Sequence, residues 1–252
     1  MTALTPITEA FSGRRWQRFT DYRHALGVAV VPLTAPEASR AAVNFPLAFE
    51  ATQQGCRLVA VLGLTAGVNL CVDDRFAWLG GYVPAYLRTP PFHLLPVRDQ
   101  PGQFTLAINE ESPWLVAEGG EPILAGKQLT PAVSDILEFL TKLQKHALKT
   151  TRAATALAEA GVLTPWVLPS DGGEPIKGLL QVDERALRAL SDEQFIALRG
   201  TGAIGLAYAQ MLSTQQLPIM QDRAKKGVGV TANTDALADL ALVDDDKLSF
   251  DF

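Results

Sequence analysis

Residues 57–95 read RLVAVLGLTAGVNLCVDDRFAWLGGYVPAYLRTPPFHLL, and no other stretch restricts the fold as much. An apolar, β-branched run turns through Thr65-Ala66-Gly67 and resumes as a second apolar run ending at Asp73. Runs of this length between turn residues read as strands, so 57–64 and 67–73 are expected to be strands, with Asp73-Asp74 as the next turn. Residues 77–79 are placed to pair back. Pro90 and Pro91 impose extended backbone ahead of Phe92.

The rest of the first half is also strand-like, at 25–31, 45–50 and 104–108. One local exception is Thr34-Ala35-Pro36-Glu37, which has the form of a capping box opening a helix. The second half changes period. Thr130 and Pro131 start a run in which Val133, Ile136, Leu137, Leu140 and Leu143 recur at helical spacing. This helix is expected to extend, with a break, towards Ala160 and to stop at Gly161. Short strands are expected at 166–168 and 177–182, around the turn Asp171-Gly172-Gly173. Asp183 caps a short helix, Ser191 to Gln194 is a second capping box, and 204–217 reads as a further helix. Strands crowd the first half and helices the second, without regular alternation. The expected fold is therefore α+β, a largely antiparallel sheet from the N-terminal half packed with helices from the C-terminal half. One domain over 1–226 and a flexible acidic tail over 227–252 are expected.

A chain of 252 residues with 48% hydrophobic content can bury a sizeable core. Charged residues are only 19%, a low share that fits extra surface buried against a partner or in a homo-oligomer. From Asp235 onward six acids face one base, which accounts for the whole net charge of −5. The remaining body is formally neutral and lacks a basic stripe, which argues against nucleic acid. The longest charge-free apolar run, 58–72, holds fifteen residues, short of the roughly 20 a spanning helix needs. The N-terminus has no apolar signal core, so a cytoplasmic location is expected, with signal-independent export to the cell surface as the alternative.

The residues that carry chemistry do not converge on a motif. Gly200-Thr201-Gly202-Ala203-Ile204-Gly205 matches the dinucleotide fingerprint in letters, but a capped helix precedes it where a strand is required, and too little chain follows to build the fold. It reads as a helix C-cap and close helix packing, so no cofactor is expected. His24, His93 and His146 stand apart, and Asp73-Asp74 has no third acid, so no metal is expected either. Cys56 and Cys71 read as buried thiols, with a disulfide left open. The segment 78–92 is more informative. Trp78, Tyr82, Tyr86 and Phe92 surround Arg88, a grouping suited to a peptide, carboxylate or planar ligand. Closure of the core by these aromatics is the competing reading. The tail DDDKLSFDF alternates acids with apolar residues, as interaction segments do.

These residues also carry a family resemblance. Phe45-Pro46-Leu47-Ala48-Phe49, Leu62-Gly63-Leu64, Asn69-Leu70, Val72-Asp73, Trp78, Tyr82-Val83-Pro84-Ala85, Arg88 and Pro91-Phe92 resemble the bacterial SapC family. Gly120-Glu121-Pro122, Gly178-Leu179, residues 190–198, Tyr208-Ala209 and Ser213 continue it, over roughly 14–220. Gln210 departs from it, where relatives often carry His, as does Leu124, where an aromatic is common. The resemblance implies association with a bacterial surface layer, or service to a peptide- or amino-acid-modifying enzyme, and brings no catalytic residues with it. The function expected is a non-catalytic accessory protein that engages a peptide or protein partner through Trp78, Tyr82, Arg88, Phe92, Asp73, Glu121 and Tyr208. The alternative is an enzyme with a pocket near Asp73, Arg88 and Tyr208.

Overall fold

A computed structural model describes residues 4–97, 100, 102–169 and 173–228. In chain order the strands are β1 (Leu4–Pro6), β2 (Arg15–Trp16), β3 (Val30–Pro32), β4 (Leu47–Thr52), β5 (Gly55–Val61), β6 (Phe92–Pro96) and β7 (Phe104–Asn109). They continue with β8 (Leu115–Val116), β9 (Glu121–Pro122), β10 (Leu124–Ala125), β11 (Gln128–Leu129), β12 (Leu163–Pro165) and β13 (Leu179–Val182). The helices are α1 (Ala38–Ala42), α2 (Pro131–Glu159), α3 (Glu184–Arg188), α4 (Asp192–Thr201), α5 (Ala203–Ser213) and α6 (Leu217–Lys225). The architecture is α+β with antiparallel sheets.

The main sheet has five strands in the order β12-β13-β4-β5-β3, and every pairing is antiparallel. Its centre is the β4–β5 hairpin, with Leu47 opposite Ala60 and Phe49 opposite Leu58. Phe45, Phe49, Leu58 and Leu62 lie in the main core with Ala154 and Leu157 of α2 and Leu206 of α5. A three-stranded sheet, β1-β7-β6, closes a second core of Phe92, Ile108 and Ile123 with Val133, Leu137 and Leu140 of α2. One helix thus serves two cores, its N-terminal part in the smaller and its C-terminal part in the larger. It runs 29 residues without the expected break, because small Ala and Thr residues continue its buried stripe past His146. Gly161, at φ +69°, follows its end.

Several expected elements shift or disappear. The strand expected over 25–31 shrinks to β3, since Arg23–Ala25 form a 3-10 turn. The strand expected over 67–73 is a loop. The Asn69 side chain holds it, donating to the Ala25 carbonyl and accepting from the Cys71 amide, which replaces a sheet ladder by local bonds. Val72 keeps an isolated bridge to Trp78. The Gly63 position admits no side chain, since a Cβ there would lie 1.8 Å from the Val68 carbonyl oxygen. The strand expected at 166–168 is replaced by β12 just before it. The helix expected over 204–217 ends at Ser213, and α6 begins at Leu217 with Pro218 in its first turn. Gly202 takes φ +80° as the C-cap of α4, the role its context indicated. The acidic tail, apart from Gly227 and Val228, and Asp171-Gly172 lie outside the described residues.

Candidate functional site

The capping box at Thr34 turns out to be the foundation of the surface expected at Arg88. Glu37 ends a 3-10 turn, Ala35–Glu37, and is only 7% exposed. Its Oε2 accepts from the Thr34 amide at 3.0 Å and the Thr34 hydroxyl at 2.7 Å, the local half of the box. Its Oε1 reaches across the fold, accepting from the Tyr82 phenol and the Ala85 amide, each at 2.8 Å. A buried carboxylate with four donors is a strong clamp, since hydrogen bonds to charged groups contribute about 1.5–3 kcal/mol. Thr150 of α2 supports the turn by accepting from the Ala35 amide at 2.8 Å.

Arg88 stands on this clamp. It closes the 3-10 turn Ala85–Arg88, whose N–H at Ala85 is tied to Glu37. Its Nη2 donates to the Tyr82 phenol oxygen at 3.2 Å and lies 4.0 Å from Glu37 Oε1. The guanidinium rests against two rings, 5.5 Å from the centroid of Tyr82 and 5.6 Å from that of Phe139 on α2. Its side chain is 40% exposed. The chain of bonds therefore runs from a solvent-facing cation through a phenol to a buried carboxylate. Burial, reinforced by the hydrogen bond to Glu37, pushes the Tyr82 hydroxyl far above its ordinary range, while Arg88 and Arg40 pull the other way. Tyr86 is raised too, chiefly by burial, and its hydroxyl has no partner among the described residues.

Trp78 joins the same corner. Its indole N–H donates to the Tyr82 carbonyl at 2.8 Å, and its ring lies 5.3 Å from Tyr22 and 6.0 Å from Phe45. Tyr22 in turn meets Phe19 and His24. His24 Nε2 lies 3.1 Å from the carbonyl oxygen of Leu87, the residue before Arg88. A carbonyl only accepts, so Nε2 carries the proton, and Nδ1 has no partner among the described residues. Burial holds the His24 pKa below its ordinary value. The Asn44 side-chain Oδ1 accepts from the Gly81 amide at 2.8 Å and fixes the Gly80-Gly81 bend.

The other expected site residues lie elsewhere. Phe92 is fully buried in the second core, edge-on to Trp16 at 4.9 Å, and does not share the Arg88 surface. Asp73 organises its own turn, accepting from the Arg75 amide at 3.0 Å and the Ala77 amide at 2.7 Å. Glu121 is exposed on β9, opposite Trp16. Tyr208 lies on α5, beside a groove of about 300 Å³ shared with Leu187, Arg188, Phe195 and Met211. Gln210, the departure from the family pattern, is a structural tie, accepting from the Val182 amide at 3.0 Å and donating to the Leu47 carbonyl at 3.3 Å. Both cysteines are free and buried. Burial pushes the Cys56 thiol up to about 11 and that of Cys71 to about 12, which keeps both protonated at neutral pH. No group of three or more possible metal-ligating side chains occurs among the described residues.

Sequence reasoning took Glu37 only as a helix cap and passed over Phe139, Asn44 and Arg40. The capping box was the visible signal. Its second function depends on a contact 45 residues away, which no local pattern encodes.

Fold and site together define an α+β protein that presents an arginine on a buried carboxylate clamp, within a half-buried aromatic border. The family model described as SapC matches residues 8–219, and the chain belongs to the SapC family. No curated protein and no solved structure matches it. No helix among the described residues is long and apolar enough to cross a membrane.

Proposed function

We propose that this SapC protein is a non-catalytic accessory protein that engages a peptide or protein partner through the surface formed by Trp78, Tyr82 and Arg88. The observation that carries this reading is the Glu37 clamp. It holds a half-exposed arginine in one place while using up the groups that could react. Glu37 is saturated with donors, the Tyr82 proton is committed to Glu37, and Asp73 caps a turn. A fixed cation bordered by rings is a recognition surface, where Arg and Tyr dominate binding energy. The enzyme alternative required Asp73, Arg88 and Tyr208 in one pocket. The three have separate surroundings here, which favours binding.

Photo-cross-linking in the producing cell tests the reading. With p-benzoylphenylalanine in place of Leu79, which is 38% exposed beside Trp78, a discrete partner adduct is expected, and Arg88→Ala should abolish it. An adduct formed only from the Phe195 position on α4, which lines the Tyr208 groove, would move the working surface there.

A further inference from the structure

We infer that Arg88 binds the side-chain carboxylate of an acidic peptide segment. The inference rests on the binding reading above and names the chemical group recognised. Three observations carry it. First, among the described residues the only hydrogen bond of the Arg88 side chain is to Tyr82, so most of its fork of five N–H donors is open. The rings of Tyr82 and Phe139 lie against the guanidinium, which limits its orientation. An oriented planar fork fits a carboxylate with two parallel bonds.

Second, the charge of Arg88 is already part-compensated, its Nη2 lying 4.0 Å from the buried Glu37 Oε1. A part-compensated cation suits a monoanion. A phosphate dianion would face the buried Glu37 carboxylate with too little compensation. Third, two of the nearby backbone donors are taken. The Ala85 amide is bonded to Glu37 and the Gly81 amide to Asn44. Capture of a chain-terminal carboxylate uses a nest of free backbone N–H groups, and here those two are occupied. A side-chain carboxylate needs only the guanidinium, and the residues flanking it on the peptide can lie on the Tyr82 and Trp78 rings.

The test is a titration of the full chain in ¹⁵N-labelled protein, followed by the Trp78 indole N–H resonance in both the parent and Arg88→Lys and, in the parent, by the Arg88 Nε–Hε resonance that this variant assigns. The probe is N-acetyl-aspartyl-phenylalaninamide. A saturable shift is expected, weakened by added salt. The asparaginyl analogue should bind at least about tenfold more weakly, and Arg88→Lys should lose most of the affinity because an ammonium cannot form the paired bonds. N-acetyl-phenylalanine, with only a terminal carboxylate, and inorganic phosphate should both bind more weakly than the aspartyl probe. Equal binding of the aspartyl and asparaginyl probes, tighter binding of phosphate or of the terminal carboxylate, or no saturable shift with the aspartyl probe overturns the inference. An Arg88-dependent adduct at Leu79 combined with any of these outcomes leaves the binding reading in place and removes only the carboxylate.

Discussion

The Arg88 corner and the Tyr208 groove expose similar side chains, and they are built in opposite ways. At Arg88 the exposed cation is the last link of a chain ending on a carboxylate that is 7% exposed. At the groove, Arg188 pairs with Glu184 one turn away on the same exposed helix face, and Tyr208 and Phe195 are 48% and 36% exposed. Surface pairs of that kind hold a side chain weakly, because solvent screens them and both chains lose entropy. The difference teaches that a fixed surface residue is made from below. The interior determines where Arg88 sits, whereas Arg188 is oriented only by a neighbour equally free to move.

Breaking the clamp should give the largest effect. Glu37→Ala strands the Tyr82 hydroxyl and the Ala85 and Thr34 amides, and should cost about 3–5 kcal/mol in urea unfolding, as loss of one member of a buried charged network does. Glu184→Gln in the groove should leave the urea midpoint nearly unchanged. If both changes cost the same, the contrast between the two regions fails. A smaller effect is expected from Asn44→Ala, which frees the Gly81 amide at a partly exposed turn and should cost about 1 kcal/mol.

Acid offers a third probe. The folded-state pKa of His24 is depressed, so the unfolded chain binds the proton more readily. Stability is then complete above the ordinary value of 6.5 and declines as pH falls from there towards the folded pKa. The hydrogen bond to Leu87 and, less, the charge of Asp21 offset part of this by favouring the charged ring. Urea midpoints should therefore drop between pH 7.5 and 5.5, and His24→Gln should flatten that slope. An unchanged slope would separate His24 from the stability of the Leu87–Arg88 turn. The smallest effect belongs to Tyr208→Ala, expected to change neither stability nor the Leu79 cross-link.

Much of this was legible in the sequence, and the reasons for the remainder are physical. The capping boxes at Thr34 and Ser191, the cap at Asp183, the left-handed Gly202 and the change from strand to helix period are local, and local chemistry fixes them. The false strand over 67–73 has strand composition, but Asn69 offers its backbone closer partners. Arg88, Tyr82 and Trp78 stand out because aromatics around an arginine within ten residues form a visible pattern. Phe92 has the same composition and is core, since β6 pairs with β7 and carries it beneath Trp16. Glu37 and Phe139 reach the site from 51 residues before Arg88 and 51 after it, and only the tertiary fold brings them there.

The claim at the centre of this account is that Arg88 is held by the fold for a partner and not for stability. The yield of the Leu79 cross-link in Arg88→Ala, read beside its urea midpoint, tests that claim most directly. The account predicts that the adduct disappears while the unfolding free energy stays within about 0.5 kcal/mol of the parent, as for other surface changes. An undiminished adduct, or an unfolding loss of several kcal/mol, would contradict it and make Arg88 a structural residue.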